Sequence, residues 1–263
     1  MSPPRVLAIA GSDSSGGAGI QADIKTIAML GGYAMTAITA ITAQNTRGVQ
    51  AVESLPAELV GAQIDSCLSD IGADAVKIGM LGSPRIAEAV HVRLESFAGA
   101  IVFDPVMVAT SGGVLADDET IAAFAPLMGL ATLITPNLPE LAALTGMPVG
   151  SHEGVAAAAH ILVQQYDCAV LAKGGHAEGD RILDTLILRD GDFANFDDPR
   201  IDTRHTHGTG CTLSSAIATL LAHGQPLPHA VRLARRFVRQ AIENAPGFGE
   251  GSGPLGHHAV RAL

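Results

Sequence analysis

Two glycine-rich stretches hold the residue types that this sequence could use for chemistry. AGSDSSGGAGIQAD (residues 10–23) follows an apolar run, and THGTGCTLSSA (206–216) opens an apolar helical pattern. Glycine lets a ligand approach the backbone, and the N–H groups and dipole at a helix start attract anions. The second stretch therefore predicts an anion site. The first predicts either a ligand-binding loop or only a tight turn.

The first stretch fits neither common phosphate-loop signature. A Walker loop needs lysine directly after its last glycine, but Gly16 is followed by Gly17 and Ala18. A dinucleotide fingerprint, G-x-G-x-x-G, cannot be placed in these residues either. We therefore expect a loop of close approach without phosphate-loop chemistry.

Cys211 supplies the thiol of the second stretch. A cysteine at a helix N-terminus is expected to have a lowered pKa, because the dipole stabilises the thiolate. Such a thiolate could accept a proton from an attacking alcohol. The sequence leaves open a plainer interpretation, a helix start with a buried cysteine.

The elements that must position these residues alternate between strand and helix. Apolar runs predict strands at 6–10, 34–42, 75–78, 100–103, 132–135 and 169–172. Helical patterns occupy 19–30, two segments after Pro56 and Pro84, and 118–128, 138–145, 152–166, 210–223 and 228–244. This alternation predicts a parallel sheet covered by helices. Two extended runs around Asp190-Gly191, within 182–196, predict that the sheet ends in an antiparallel hairpin.

Ligands of such sheets bind beyond the carboxyl ends of the strands. Those ends carry Gly11, Gln44, Lys77, Asp104, Asn137 and Lys173. Lys173 is predicted to pair with nucleotide phosphates, whereas Lys77 could support the site or simply reach solvent. Asp104 and Glu140 offer the oxygen ligands that Mg²⁺ prefers. Alternatively, Asp104 caps the turn at Pro105 and Glu140 serves first-turn helix electrostatics.

Composition excludes several classes of partner. The chain has 263 residues, a net charge of −10, no Trp and only three lysines, which argues against nucleic-acid binding. No apolar run is long enough for a membrane helix, so no membrane partner is expected. The three cysteines share no metal-ligand spacing, which favours free thiols in the cytoplasm. The histidines lack zinc-site spacing, although His207 could have a loop role near phosphate.

Seven motifs in order resemble the hydroxymethylpyrimidine/phosphomethylpyrimidine kinases of thiamine biosynthesis, which have the ribokinase-like fold. Besides the two glycine stretches, they are TAQNTRGV (42–49), KIGML (77–81), FDPVMVATSG (103–112), LITPNLPE (133–140) and KGGH (173–176). The resemblance implies one three-layer α/β/α domain over 1–263, with a mostly parallel sheet and antiparallel edge strands. It also implies ATP as co-substrate, Mg²⁺ and a homodimer. One departure is His205, where the family usually has Asn.

The resemblance also implies a role for each site residue. The pyrimidine contacts would be Gly11, Asp23, Gln44 and Met80. The catalytic group would be Gly208, Thr209, Gly210, Cys211 and Lys173; the nucleotide contacts would be Asn137, Lys173 and Thr209, and the metal ligands Asp104 and Glu140. Chemistry supports Gln44, because a carboxamide can donate to and accept from an aminopyrimidine edge at once.

The implied reaction is phosphorylation of 4-amino-5-hydroxymethyl-2-methylpyrimidine, first to the monophosphate and then to the diphosphate. One alternative is a pyridoxal kinase of the same fold. A (β/α)₈ Schiff-base lyase using Lys77 or Lys173 is another, although the predicted hairpin and terminal helices argue against it. The last alternative is a non-catalytic vitamin-binding protein, which would need the acceptor pocket but no magnesium site.

Overall fold

The computed structural model describes residues 2–108, 115–176 and 179–260, which form a mixed sheet with helices on both faces. The strands are β1 Arg5–Asp13, β2 Tyr33–Asn45, β3 Gly48–Ser54, β4 Ala75–Ile78, β5 Ala100–Phe103, β6 Leu133–Ile134, β7 Ala169–Ala172, β8 Arg181–Ile187 and β9 Phe193–Pro199. The helices are α1 Gly19–Met29, α2 Ala57–Asp70, α3 Pro84–Leu94, α4 Asp118–Ala122, α5 Ala125–Leu130, α6 Leu138–Thr145, α7 His152–Tyr166, α8 Thr209–Ala222 and α9 Leu227–Glu243.

The sheet is parallel in its centre and antiparallel at both edges. Within the described residues its nine strands run in the order β3-β2-β1-β4-β5-β6-β7-β8-β9. Strands from β2 to β7 pair in parallel, whereas β3 at one edge and β8 with β9 at the other pair antiparallel. The predicted fold class is therefore confirmed. An open sheet with antiparallel edges also rules out the closed parallel barrel of the lyase alternative.

Each central strand packs into two hydrophobic cores, because successive side chains point to opposite faces. In β1, Leu7 and Ile9 join the core beneath α2, α3 and α5–α7, whereas Val6 and Ala8 join the core beneath α1, α8 and α9. All four residues are completely buried. This two-sided burial explains why β1 is a continuous apolar run, and it produces the three predicted layers.

The structure differs from the prediction at two elements. The edge strand Gly48–Ser54 was not predicted, because most of its side chains are exposed and it has no apolar run. The single helix predicted over 118–128 is instead two short helices, Asp118–Ala122 and Ala125–Leu130. The hairpin predicted over 182–196 is confirmed as β8 and β9.

Across the described ranges, no helix has both the length and the apolar character needed to cross a bilayer. Residues 109–112, the end of the motif FDPVMVATSG, lie outside the described residues.

Candidate active site

A cavity of about 960 Å³ lies at the carboxyl ends of the parallel strands. Its lining includes these predicted site residues: Gly11, Gln44, Met80, Asp104, Asn137, Glu140, Lys173, Gly208, Thr209, Gly210 and Cys211. The structure therefore brings every predicted site residue to one cavity except Asp23. The rule that ligand sites lie beyond the strand ends located the cavity correctly.

The first glycine-rich loop is organised around the Asp13 carboxylate. That carboxylate accepts hydrogen bonds from the backbone N–H groups of Ser15 (2.9 Å), Gly17 (3.0 Å) and Ala18 (2.8 Å). Burial alone would raise the pKa of Asp13, but these bonds and one from His207 hold it well below its usual range. The buried, ionised carboxylate of Asp13 therefore holds the loop in its conformation.

The two glycine stretches pack directly against each other. The His207 ring lies on Gly17, where a Cβ would overlap the ring, and a Cβ on Gly208 would overlap the carbonyl oxygen of Gly17. Gly208 also has φ +85°, a conformation that favours glycine. Because the ionised Asp13 carboxylate can only accept, His207 donates its Nε2–H to Asp13 Oδ2 over 2.8 Å. Gly17 and Gly208 are therefore needed for the two glycine-rich stretches to pack against each other.

His207 is a site residue that sequence reasoning left undecided. Its side chain is almost completely buried, yet the residue lines the cavity, and its Nε2 lies 3.5 Å from Gln44 Nε2. Gln44 is also held through its backbone, because its N–H donates to Ser14 Oγ over 2.9 Å. The first loop and the end of β2 therefore position this side of the cavity together.

Gly11 and Met80 also line the cavity. A Cβ on Gly11 would lie 3.0 Å from Met80 Sδ, so the missing side chain lets the thioether pack against the backbone. The Met80 carbonyl oxygen accepts a hydrogen bond of 2.7 Å from Thr39 Oγ1. Gly11, Gln44 and Met80 thus all line the cavity, and the pyrimidine contacts that the resemblance implied for them stay a prediction.

Helix α8 presents its N-terminus to the cavity. The helix begins after Gly208, and no side chain caps it. The first N–H groups of an α-helix have no partner within the helix, and the dipole makes this end electropositive. The turn of Thr209, Gly210 and Cys211 is therefore built to receive an anion.

The prediction of a lowered pKa for Cys211 is wrong. Burial raises the pKa of its thiol to about 11, outweighing the lowering effects of Lys77 and of a hydrogen bond from the Gly19 N–H; Asp23 and Asp104 raise it further. The sequence shows the helix dipole but not this burial, which disfavours the thiolate. Cys211 is consequently a protonated thiol at neutral pH.

Lys173 and Asp104 form an ion pair on the cavity wall. Lys173 Nζ lies 2.7 Å from Asp104 Oδ1, which also accepts a 2.9 Å hydrogen bond from Thr135 Oγ1. A Cβ on Gly210 would lie 3.5 Å from Lys173 Nζ, so this cation faces the first turn of α8. The ammonium and the helix N-terminus therefore converge on the same part of the cavity.

Asn137 and Glu140 form a reciprocal cap on α6. The Glu140 N–H donates to Asn137 Oδ1 over 2.9 Å, and the Asn137 N–H donates to Glu140 Oε2 over 2.8 Å. Burial raises the pKa of Glu140 to about 7, although Lys173 opposes the rise. The helix-start interpretation of Glu140 is thus supported, while its side chain still lines the cavity.

The chemistry of the donor set fits a magnesium ion. Mg²⁺ usually binds through one or two carboxylates, substrate phosphates and water. Asp104 Oδ2 has only a long contact of 3.5 Å, with Ser214 Oγ, among the hydrogen bonds of the described residues, and Glu140 lies on the same wall. No group of three or more His, Cys, Asp or Glu side chains in those residues forms a denser cluster. Asp104 and Glu140 therefore fit a Mg²⁺ ion whose other coordination positions are filled by a bound ligand and water.

Asp23 does not reach the cavity. Its carboxylate is completely buried and lies 3.0 Å from Lys77 Nζ through both oxygens. Burial would lower the pKa of Lys77, but Asp23 more than compensates and raises it. The Asp23 side chain thus faces Lys77 rather than the cavity, and the pyrimidine contact that the resemblance implied for it stays a prediction. Lys77 is buried rather than solvent-exposed.

The opposite end of the cavity lies against the β8–β9 hairpin and α9. Arg235 forms ion pairs there with Asp184 and Asp198, and its guanidinium stands 5.6 Å from the centre of the Phe196 ring. Burial lowers the pKa of Arg235 to about 10. The sequence did not predict this wall, because its residues come from separate elements without a shared motif.

A model of the phosphomethylpyrimidine kinase family matches residues 13–256. The chain belongs to this family. The resemblance stated from the seven motifs is thereby confirmed.

Relatives within the family differ in length. A hydroxymethylpyrimidine/phosphomethylpyrimidine kinase from Rhizobium meliloti is 48% identical over 256 residues, which cover 95% of this chain and 96% of that protein. A thiamine biosynthesis multifunctional protein from Corynebacterium efficiens is 42% identical over 98% of this chain, but the match spans only 35% of that protein. The chain therefore corresponds to about one third of some relatives and to nearly all of others.

Solved structures with the same fold include two kinds of kinase. A phosphomethylpyrimidine kinase from Clostridium difficile has a TM-score of 0.81 and 40% identity, over 91% of this chain and 99% of that one. The ADP complex of Bacillus subtilis pyridoxal kinase has a TM-score of 0.90 and 34% identity, over 98% of each chain. The fold is thus shared by kinases named for two different heteroaromatic substrates.

Proposed function

We propose that this protein phosphorylates 4-amino-5-hydroxymethyl-2-methylpyrimidine with ATP, and then phosphorylates the monophosphate, as a step of thiamine biosynthesis. One observation supports this most directly. A single cavity joins the Gln44 wall to the first turn of α8 and to the Lys173–Asp104 pair. An acceptor and a phosphoryl donor can therefore meet in one place. The family membership supports the choice of substrate.

On the acceptor side, Gln44 binds the edge of the pyrimidine. Its carboxamide donates to a ring nitrogen and accepts from the exocyclic amine. Gly11 and Met80 form the apolar wall against the ring. His207, anchored by Asp13, limits how far the Gln44 side chain can move.

On the donor side, the protein positions charge rather than forming a covalent intermediate. The Thr209 N–H already donates to the Thr206 carbonyl oxygen over 3.3 Å. The N–H groups of Gly210 and Cys211 stabilise the transferring phosphoryl group, and Lys173 pairs with nucleotide phosphates. Asn137 lies beside them on the nucleotide side. Asp104 and Glu140 would hold Mg²⁺, which neutralises phosphate charge when bound.

Cys211 serves as proton acceptor for the first transfer only. The alcohol must lose a proton as it attacks, whereas a phosphate monoester, with a second pKa of about 6, is already largely anionic at neutral pH. Because the thiol pKa is about 11, only a minor fraction is thiolate at neutral pH. The first transfer should therefore accelerate with rising pH, about tenfold per unit while deprotonation limits the rate. The second should not.

Single-turnover rates of the two transfers test this function. Cys211→Ala should slow phosphorylation of the alcohol by roughly 10²–10⁴ and that of the monophosphate much less, because the backbone N–H groups remain. Cys168→Ala is the matched control, since Cys168 is buried in the core and does not line the cavity. Equal losses in both transfers would leave Cys211 only as part of the anion site.

A pyridoxal kinase activity is the second candidate, favoured by the high TM-score of the Bacillus subtilis enzyme. Pyridoxal also carries a hydroxymethyl group on an aromatic ring, so the same transfer would apply. A coupled ATP assay with the aminopyrimidine and pyridoxal in parallel, with product masses recorded, separates the two. A higher kcat/KM for pyridoxal would reverse our assignment.

We further propose that residues 1–263 act as one kinase domain in a cytoplasmic homodimer. The continuous sheet from β3 to β9 supports one domain, and the family resemblance favours the dimer. Sedimentation equilibrium at several concentrations measures the assembly state. A monomer at micromolar concentration would contradict the dimer without affecting the kinase assignment.

A further inference from the structure

Three polar side chains are sealed beneath the first turn of α8. Lys77 on β4, Asp23 on α1 and Ser215 on α8 are each 0% exposed. Lys77 Nζ contacts both carboxylate oxygens of Asp23 at 3.0 Å, and Ser215 Oγ donates to Asp23 Oδ1 over 2.6 Å. The three groups thus form one hydrogen-bonded chain from the sheet to α8.

This chain joins the helix close to its reactive end. Ser215 lies four residues after Cys211, so the two side chains share one face of α8 on successive turns. The helix starts at Gly208 without a side-chain cap. Gly208 packs against Gly17 at the start of the helix, and Ser215, further along, adds a hydrogen bond to a different helix, α1.

Apolar packing does not require these residues. Burying two charges is costly, and a hydrophobic pair of similar volume often stabilises a fold as well or better. The space around Lys77 is also restricted, because a Cβ on Gly79 would lie 2.8 Å from Nζ. The placement of the pair therefore argues for a geometric role. Its charge reaches the site as well, since Lys77 lowers the pKa of the thiol of Cys211, which is half-buried and lines the cavity.

We propose that Lys77, Asp23 and Ser215 form a positioning relay that holds the first turn of α8 in register with β4 and α1. Within the described residues, none of the three lines the cavity. They act through Gly210 and Cys211, whose N–H groups must face the transferring phosphoryl group. The role in catalysis rests on the proposed function, but the tether itself does not.

Ser215→Ala and Thr219→Val form a matched pair for testing the relay. Both positions are buried hydroxyls on α8, but the Thr219 hydroxyl donates only to the Ser215 carbonyl of its own helix, over 2.7 Å. Ser215→Ala should accelerate amide hydrogen exchange over residues 212–216. It should also lower kcat by roughly 10- to 100-fold, as expected for small misplacements, while KM for the pyrimidine stays within about threefold. Thr219→Val should match the parent.

A second variant removes the ion pair without leaving an uncompensated charge. In Asp23→Asn combined with Lys77→Met, the methionine cannot hold residue 23, so the same amides should exchange faster and kcat should fall. If either relay variant matches the parent in exchange and kcat, or Thr219→Val matches Ser215→Ala, the relay is wrong. A change in KM alone would make Ser215 a ligand-binding residue and also overturn it. A parent protein that phosphorylates no pyrimidine would refute the proposed function instead, because the exchange comparison needs no substrate.

Discussion

Lys77 and Lys173 have similar positions in the sequence, but their ion pairs with aspartate differ in exposure in the structure. Lys77 and Lys173 both lie at carboxyl ends of central strands, and each pairs with an aspartate within 3.0 Å. Lys77 and Asp23 are 0% exposed, whereas the Lys173 side chain is 14% exposed and borders the cavity. One pair is sealed behind the site and the other faces the ligands.

This difference shows how the same ion pair can serve two purposes. A cation that borders a cavity can exchange its carboxylate partner for a phosphate, because both offer oxygen acceptors. A completely buried cation cannot exchange its carboxylate partner for a ligand, so it can only keep its existing contacts. We therefore expect the Lys77 pair to govern stability and geometry, and the Lys173 pair to govern turnover.

Lys77→Met should have the largest effect on the fold. It leaves Asp23 as an uncompensated buried charge, which typically costs about 3–5 kcal/mol of unfolding free energy. Urea unfolding followed by circular dichroism measures this loss. Lys173→Met, whose partner borders the cavity, should lose less than half as much. Equal losses would remove the distinction between the pairs.

Of the two lysine substitutions, Lys173→Met should have the larger effect on turnover in the folded protein. Removing a preorganised cation from the phosphate site should lower kcat/KM for ATP by roughly 10²–10³. Arg189→Met is the control, because Arg189 forms an exposed ion pair with Asp167 on the surface. Steady-state kinetics at saturating pyrimidine give the values. A loss below tenfold would mean that Lys173 does not handle phosphate.

Gln44→Ala and Asp23→Asn separate ligand contact from support. Gln44→Ala leaves polar groups of the pyrimidine unpaired, so affinity should fall by about 1–3 kcal/mol. Asp23→Asn, behind the wall, should leave the affinity of the folded fraction within about threefold of the parent. Titration calorimetry measures both. A larger loss for Asp23→Asn would support its role as a substrate contact.

Glu140→Gln should have the smallest effect, visible only as a pH dependence. The pKa of Glu140 rises from 4.5 to about 7 on folding, so the carboxyl is harder to ionise in the folded state. The parent should therefore lose stability relative to Glu140→Gln as pH rises from 5 to 8, by about 1–2 kcal/mol. Thermal unfolding at both pH values tests the sign. Mg²⁺ should narrow the gap, and a gap that is constant with pH would contradict the shift.

The sequence predicted well where pattern and topology determine the outcome. The apolar runs located the central strands, and the rule for strand ends located Gln44, Asp104 and Lys173. The sequence did not predict which individual polar groups are buried. The lowered pKa expected for Cys211 followed from the helix dipole alone, and Asp23 was assigned by resemblance to a surface it does not reach. The edge strand Gly48–Ser54 was missed because it has no buried face to produce a pattern.

The contact between the two glycine-rich stretches determines when, during synthesis, this part of the site can form. Asp13 and His207, which join them, are 194 residues apart in the chain. During synthesis the ribosome releases the first loop long before the second, and such distant pairings form late in folding. Until α8 emerges, the Asp13 carboxylate lacks its histidine and Gly17 has no partner. A growing chain therefore carries an unfinished acceptor wall, and the substrate meets a complete one only when the last helices dock.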